Sequence, residues 1–274
     1  MLPSFSSGLV KEMDCYQMAD FFVGAGVNNI EISRYHYTPF LNKEKDVKEY
    51  RKYIDDLGFH IPEGHMLIQG PGNITSLDNT YAIDNLKRNL EVFYELGVKA
   101  AVIHHSHYGT DLEPIEKWFD IRVDAFNQLI RHIEGTDMVI CLENLSRIHD
   151  YDAGHLLKMC KAVDNPEHIG ICLDTGHLHT AQSGSQYDFI MQAGKWLRAI
   201  HVHDNKGPDR GDMHIMPFDT GTIKWDEVKR GLKDLNYQYL FNYELSHLIA
   251  ANPIEIKKIQ VKYLLEIYNA YFAF

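Results

Sequence analysis

Short apolar runs alternate with longer amphipathic segments along almost the whole chain. The short runs are apolar at nearly every position, which is typical of strands buried on both faces of a parallel sheet. The pattern predicts eight such strands, at residues 4–9, 29–33, 60–65, 100–105, 138–143, 168–174, 199–203 and 239–245.

The longer segments carry apolar residues at three- to four-residue spacing, which predicts helices with one buried face. Several of them follow an Asp that can cap a helix, and several end just before a Gly. The clearest predicted helices cover residues 14–25, 43–57, 78–96, 114–133, 152–163, 225–235 and 253–268.

Eight strand-helix units in 274 residues predict an α/β fold, a closed (β/α)8 TIM barrel. An open doubly wound sheet would place its special residues at one crevice, whereas here they end almost every strand. No linker or composition shift divides the chain, so we expect one domain over residues 1–274. The chain begins without a basic and apolar leader and has no membrane-length apolar run, which favours a cytoplasmic protein without a membrane partner.

Composition narrows the chemistry. The formal net charge of -11 argues against a sequence-independent grip on a nucleic-acid backbone, so a nucleic-acid partner is not favoured. The four cysteines form no CxxC pair, and neither disulfides nor a zinc-thiolate site are expected. Sixteen histidines are many for this length, and their positions matter more than their number. The oligomeric state is left open, and a homo-oligomer is compatible with the sequence.

Six predicted strands end on a carboxylate or an imidazole. Such groups at the end of a buried strand cost desolvation free energy unless something pairs with them, which indicates a bound divalent cation. The six residues are His65, His104, Glu143, Asp174, His201 and Glu244. Four of these end neighbouring strands and form a mostly hard ligand set suited to Mn²⁺, Zn²⁺, Co²⁺ or Mg²⁺. This core set is Glu143, Asp174, His201 and Glu244.

Other residues lie close to the strand ends in sequence. His177 follows Asp174 in the segment LDTGH and can reach an ion or a substrate oxygen from the next loop. Asp212 and His214 are two residues apart, so an extended segment would place them on one side. This pair can bind a second metal ion, bind substrate or hold its own loop. Together with His65 and His104 on the opposite wall, these are the candidate additional ligands. The candidate substrate contacts are Glu31, His177, Arg34, Lys206 and Arg210, with surface solvation as the competing role for the basic three.

The motifs IEIS, LEN, LDTGH, HVHDNK, DMH and PFDTGTIKW, together with the strand-end residues, resemble the xylose isomerase-like TIM barrel superfamily. That superfamily includes sugar and sugar-phosphate isomerases and epimerases, inosose-processing enzymes and apurinic endonucleases of the endonuclease IV type. The resemblance runs along nearly the whole chain.

The resemblance implies a divalent-metal-dependent isomerase or epimerase of a small sugar, sugar phosphate or cyclitol in carbohydrate metabolism. By this resemblance one ion is bound by Glu143, Asp174, His201 and Glu244, and the reaction is an enediolate-type proton transfer. Glu143 and Glu244 would serve as acid and base on opposite faces of the substrate, and His177 would hold a substrate oxygen. A dehydratase or lyase using the same chemistry is a third option.

The alternative is an endonuclease IV-type apurinic endonuclease with a trinuclear zinc site. Each of the nine ligands of that site has a matching residue here: His65, His104, Glu143, Asp174, His177, His201, Asp212, His214 and Glu244. Two features favour the sugar enzymes. The segment MLIQGPGN after His65 lacks the tyrosine that the endonucleases insert into DNA, and Glu31 in IEIS is shared with the sugar enzymes.

Overall fold

Eight parallel strands close into a barrel in sequence order, as the sequence predicts. The computed structural model describes residues 1–68, 70–106, 115–146, 152–181, 185–208, 210–245 and 251–274, with the side chains of 115–117 left aside. The strands are β1 (Leu2–Ser6), β2 (Asn29–Ile32), β3 (His60–His65), β4 (Ala100–His104), β5 (Val139–Glu143), β6 (Ile169–Asp174), β7 (Leu197–Val202) and β8 (Leu240–Tyr243).

Helices lie between the strands and cover the outside of the barrel. They are α1 (Cys15–Ala25), α2 (Arg34–Leu41), α3 (Val47–Asp56), α4 (Thr80–Leu96), α5 (Ile115–Ile133), α6 (Gly154–Ala162), α7 (Thr175–Thr180), α8 (Gln186–Ala193), α9 (Trp225–Asp234) and α10 (Ile254–Ile267). Among the described residues, none of these helices has the length and apolar character needed to cross a membrane.

Three helices are absent from the sequence prediction. Helix α2 contains Pro39, which interrupts the usual signal, and α7 is only six residues long, too short to show a helical period. The eight-residue α8 was missed for a similar reason. As a result His177, which we expected in a loop, lies on helix α7.

Strands β1 and β8 end earlier than predicted. Strand β1 ends at Ser6, and Ser7–Val10 form a 3-10 turn in place of the predicted strand end. The Ser7 hydroxyl accepts a hydrogen bond from the Ser33 backbone at 2.8 Å, which ties this turn to the end of β2. Strand β8 ends at Tyr243, so Glu244 is the first residue after it, and its N–H donates to the Val202 carbonyl at 3.2 Å.

Alternation along the strands separates the core from the candidate chemistry. In ICLD of β6, Ile171 and Leu173 pack with the helices, whereas Cys172 and Asp174 face the barrel interior. Strands β5 and β7 repeat this arrangement. The small apolar side chains form the floor of the barrel interior, and the ionisable residues stand one step above it, at the carboxyl ends of the strands. The floor consists of Val102, Cys141, Cys172 and Ala199.

Candidate metal centre and active-site cleft

The four residues of the predicted core ligand set meet at the carboxyl end of the barrel. One potential ligand atom from each lies within 4.8 Å of the others. They come from the ends of β5, β6 and β7 and from the position after β8, so the barrel itself converges them. Three of the side chains are fully buried and the fourth is nearly so. The members are Glu143, Asp174, His201 and Glu244.

Two buried atoms inside this set lack partners. Nδ1 of His201 lies 3.4 Å from Oε1 of Glu143 and 3.3 Å from Oε2 of Glu244. Among the described residues, neither His201 Nδ1 nor Glu143 Oε1 makes a hydrogen bond. Buried polar atoms left in this state are costly, and a cation between them would satisfy both. The donor set and its orphaned atoms therefore fit a divalent metal ion.

His65 and His104 contact the other oxygen of Glu143. Both Nε2 atoms lie 3.2 Å from Glu143 Oε2. Burial lowers the pKa of His65, but its hydrogen bond to Glu143 and the negative charges of Glu143 and Glu31 outweigh burial and raise that pKa to about 9. Burial raises the pKa of Glu143, and the neighbouring charges of His104 and His201 bring it well below its usual value. Glu143 is thus held as a carboxylate.

His177, Asp212 and His214 form a second group at the edge of the cleft. Oδ2 of Asp212 lies 3.3 Å from His177 Nε2 and 2.9 Å from His214 Nε2. The other ring nitrogen of each histidine faces a backbone carbonyl. His177 Nδ1 lies 3.1 Å from the carbonyl oxygen of Asn144, and His214 Nδ1 lies 2.7 Å from that of Glu244. Burial raises the pKa of Asp212, but the hydrogen bonds from the two histidines outweigh it and hold that pKa far below its usual value.

Asp174 is fixed by hydrogen bonds on several sides. It is the N-cap of α7, where its Oδ1 accepts from the backbone N–H of His177 at 2.6 Å. His203 Nε2 lies 2.9 Å from Oδ1 and 3.0 Å from Oδ2. Asn144 pairs with the Asp174 backbone through two bonds of 2.7 and 3.0 Å. These contacts leave the carboxylate little freedom to turn away from the ligand set.

Packing explains why a glycine occupies position 176 in the LDTGH segment. Gly176 lies directly against the ring of His203, and a Cβ at this position would overlap the ring atoms. The same ring stacks on His214, with centroids 3.9 Å apart and planes inclined by 11°. Gly176 therefore lets His203 reach Asp174.

The sequence prediction missed some residues that hold the site. Asn144 follows Glu143 directly, and its adjacency to a predicted ligand was the available signal. Glu63 lies two positions before His65, so strand alternation places both on the inner face of β3. Glu63 is buried, and its Oε1 is 3.5 Å from His201 Nε2. No pattern in the sequence could show that these partners face each other across the barrel.

A cleft of about 290 Å³ opens above the ligand set. One wall carries the histidines and carboxylates, and the other carries residues that follow β1 and β2. Two cations, Lys11 and Arg34, lie on this second wall beside the ring of Tyr35, at 5.8 and 5.2 Å from its centroid. Neither Lys11 nor Tyr35 was predicted from sequence. Lys11 is a single residue in a turn and carries no periodic signal, and Tyr35 lies on helix α2, which the sequence did not predict.

The candidate substrate contacts divide into two kinds. Arg34 and His177 line the cleft. In contrast, Lys206 and Arg210 are exposed and lie outside the described lining of the cleft. Glu31 is fully buried within the barrel, and its Oε2 is 2.7 Å from His201 Nε2, on the far side of that ring from the ligand set. This location separates Glu31 from the cleft.

The family model for the xylose isomerase-like TIM barrel matches residues 21–267. The chain belongs to this family. The family match agrees with the closed eight-stranded barrel and with ligand candidates at the carboxyl ends of its strands.

The proteins to which this chain is similar carry names that point to different activities. A probable endonuclease 4 of Mycoplasma pneumoniae is 26% identical over 209 residues, which are 65% of this chain and 70% of that protein. An IolI protein solved with a bound zinc atom superposes with a TM-score of 0.83 at 18% identity, covering 100% of both chains. A D-psicose 3-epimerase of Clostridium cellulolyticum H10, solved with D-tagatose, gives 0.81 at 16% identity, again over 100% of both chains. At these identities the two structures show the shared fold alone.

Proposed function

We propose that this protein is a divalent-metal-dependent isomerase or epimerase of a small sugar, sugar phosphate or cyclitol, acting by proton transfer. One observation carries the proposal: two buried atoms of the four-ligand set, Glu143 Oε1 and His201 Nδ1, have no hydrogen-bond partner in the part of the chain that the structure describes. Glu143 and Glu244 flank that position, and both line the cleft. This arrangement supports a cation position between two carboxylates that can reach a substrate.

A divalent ion held by Glu143, Asp174, His201 and Glu244 would stabilise negative charge on substrate oxygens. Glu143 and Glu244 approach from different strands, so one can remove a carbon-bound proton while the other returns one. Burial raises the pKa of Glu244, but the neighbouring charge of His201 outweighs burial and lowers that pKa well below its usual value. Both glutamates are therefore carboxylates at neutral pH in the metal-free chain, so the one that returns a proton must first take it up from solvent.

The other side chains of the cleft suit a small polar substrate. His177 lies beside Glu143, with its Nδ1 3.2 Å from Glu143 Oε1, and would hold a substrate oxygen by exchanging the contact of its Nε2 with Asp212. Arg34, with Lys11 beside it, is suited to an anionic group at the opposite end of the substrate. The cleft volume is of the size that small-molecule sites have.

A second candidate is an endonuclease IV-type apurinic endonuclease with three zinc ions. It is favoured by the grouping of His177, Asp212 and His214 and by the approach of His65 and His104 to Glu143. Against it, both ring nitrogens of His65, His177 and His214 already have hydrogen-bond partners within the chain. Within the described residues these outer histidines are satisfied by hydrogen bonds, whereas the four-ligand set leaves Glu143 Oε1 and His201 Nδ1 without a partner.

We further propose that residues 1–274 act as one domain. Strand β1, near the start of the chain, pairs with β8, near its end, through four residue positions. Separating the two ends would open the barrel.

The proposal is tested by incubating protein loaded with Mn²⁺, Co²⁺, Zn²⁺ or Mg²⁺ with ketoses, ketose phosphates and cyclitols in D2O. Deuterium incorporation at a carbon beside the carbonyl, followed by NMR, is the expected result. Glu244→Gln should abolish it, whereas the exposed Glu134→Gln should not. Absence of exchange across the panel, together with nicking of an abasic duplex by the same protein, would favour the endonuclease.

A further inference from the structure

The ring of His201 lies between two sets of carboxylates. Its Nδ1 faces Glu143 and Glu244 in the ligand set, and its Nε2 faces Glu31 at 2.7 Å. The two ring nitrogens lie on different edges of the imidazole. In this orientation of the ring, Nδ1 is directed at the proposed ion and Nε2 is directed at Glu31 at the same time. The contact at Nε2 therefore bears directly on the contact at Nδ1.

Glu31 is rigidly placed for this contact. It lies within β2, has no exposed surface, and pairs in register with Ser6 of β1 and Glu63 of β3. His201 is on β7, so the interaction crosses the interior of the barrel. Glu31 Oε1 has no hydrogen-bond partner among the described residues, which leaves His201 as the observed partner of this carboxylate.

We propose that Glu31 is a positioning residue for the metal centre: it accepts the Nε2–H of His201, fixes that tautomer, and directs the Nδ1 lone pair at the cation position. A carboxylate behind a ligating imidazole orients the ring and strengthens it as a ligand. The inference rests on the proposed ion at Glu143, Asp174, His201 and Glu244. It gives Glu31 a role at the ion in place of the substrate contact expected from sequence.

Glu63 offers a matched comparison. Its Oε1 is 3.5 Å from the same Nε2 atom and makes no hydrogen bond within the described part of the chain. Both glutamates are buried on neighbouring strands, so replacing either by Gln removes one interior carboxylate. Only Glu31 has the hydrogen-bond distance that fixes the tautomer. A general effect of buried charge would make the two variants alike.

The test compares Co²⁺ binding by the full chain and by the variants Glu31→Gln and Glu63→Gln. Glu31→Gln should weaken Co²⁺ affinity by roughly 10- to 100-fold and shift the visible absorption of the bound ion. Glu63→Gln should change Co²⁺ affinity by less than about 3-fold, because Glu63 makes no hydrogen bond to the ligating histidine. This change is well below the 10- to 100-fold loss that is typical when the partner of a metal ligand is removed. Restoration of much of the affinity by Glu31→Asp would show that the negative charge matters. Unchanged affinity and absorption in Glu31→Gln, or equal losses in both Gln variants, would overturn the inference.

A measurement on the wild-type protein tests the same inference without requiring that any variant folds. In 15N-labelled, Zn²⁺-loaded protein, NMR of the His201 ring should show the proton on Nε2. A proton on Nδ1 would contradict the inference. These readouts are independent of turnover, so failure of sugar exchange would overturn the proposed function while leaving the result for Glu31 readable.

Discussion

Oε1 of Glu143 lies 3.4 Å from Nδ1 of His201, and neither atom has a hydrogen-bond partner among the described residues. The other oxygen of Glu143 meets His65 and His104 at 3.2 Å each. Glu143 is consequently the residue that connects the four-ligand set to His65 and His104. It is also the residue whose loss should be felt most widely.

Replacing Glu143 by Gln should remove an anionic ligand and a proton acceptor while keeping the side-chain shape. We expect turnover to fall by at least about 100-fold, the lower range for a catalytic acid or base, and the bound metal content to fall with it. Activity assays and elemental analysis of the purified variant measure the two effects. The exposed Glu134→Gln is the control. Full metal content and full turnover in Glu143→Gln would contradict the assignment.

Adding one methyl group at Gly176 should disturb the site without touching a ligand. Gly176→Ala would push the His203 ring away from Asp174, because a Cβ there overlaps the ring. Overpacking of this kind costs about 1–3 kcal/mol of folding free energy, which thermal unfolding should detect as a lower melting temperature. Metal affinity should fall in parallel. Gly70→Ala, where a Cβ meets open space, should leave both unchanged.

The stability of the metal-free protein should decrease from pH 7 to pH 9. Burial lowers the pKa of His65 and of His214, but Glu143 and Asp212, respectively, outweigh it through hydrogen bonds and raise both pKa values to about 9. An unfolded His has a pKa near 6.5, so the stabilisation is fully present below about pH 6.5 and is lost as the pH rises through 9.

This decrease is measurable as a melting temperature lower by roughly 10 °C at pH 9 than at pH 6.5 in the presence of a chelator. A protein carrying both His65→Gln and His214→Gln should show a flatter profile. A melting temperature that rises over this interval in the wild-type protein would show that the two histidines are not stabilised as cations.

Arg34 should contribute to binding of an anionic substrate. Its loss in Arg34→Ala removes a charge-assisted hydrogen bond of about 1.5–3 kcal/mol, so KM for a phosphorylated sugar should rise roughly 10- to 100-fold. KM for the unphosphorylated sugar should change little. Arg210→Ala, at an exposed position outside the described cleft lining, is the control. Equal effects of both variants would argue against a specific anion contact.

The fold could be predicted from the sequence because the strands appear as continuous apolar runs and the long helices show a clear three- to four-residue spacing of apolar residues. Continuous apolar runs gave the strands, and their ends located Glu143, Asp174 and His201 within one wall of the barrel. The shorter elements could not be predicted. Helix α7 spans only six residues, although the backbone N–H of His177 in its first turn donates a hydrogen bond to Asp174. Local periodicity cannot resolve an element of that length.

Contacts across the barrel interior could not be predicted from the sequence for a different reason. Strand alternation indicates that Glu31 and His201 both face inward, but it does not say which inward residues meet. That pairing depends on the stagger and closure of all eight strands. The expected substrate role of Glu31 followed from its position at the end of a strand, whereas the structure places it behind the ring of His201.

The number and position of bound metal ions test the central claim most directly. Elemental analysis of the metal-loaded protein after gel filtration, with anomalous diffraction to locate the ions, provides both. We predict one tightly held ion per chain, bound by Glu143, Asp174, His201 and Glu244. Three ions held with similar affinity, with one between His65 and His104 and another among His177, Asp212 and His214, would contradict the isomerase account and favour the endonuclease.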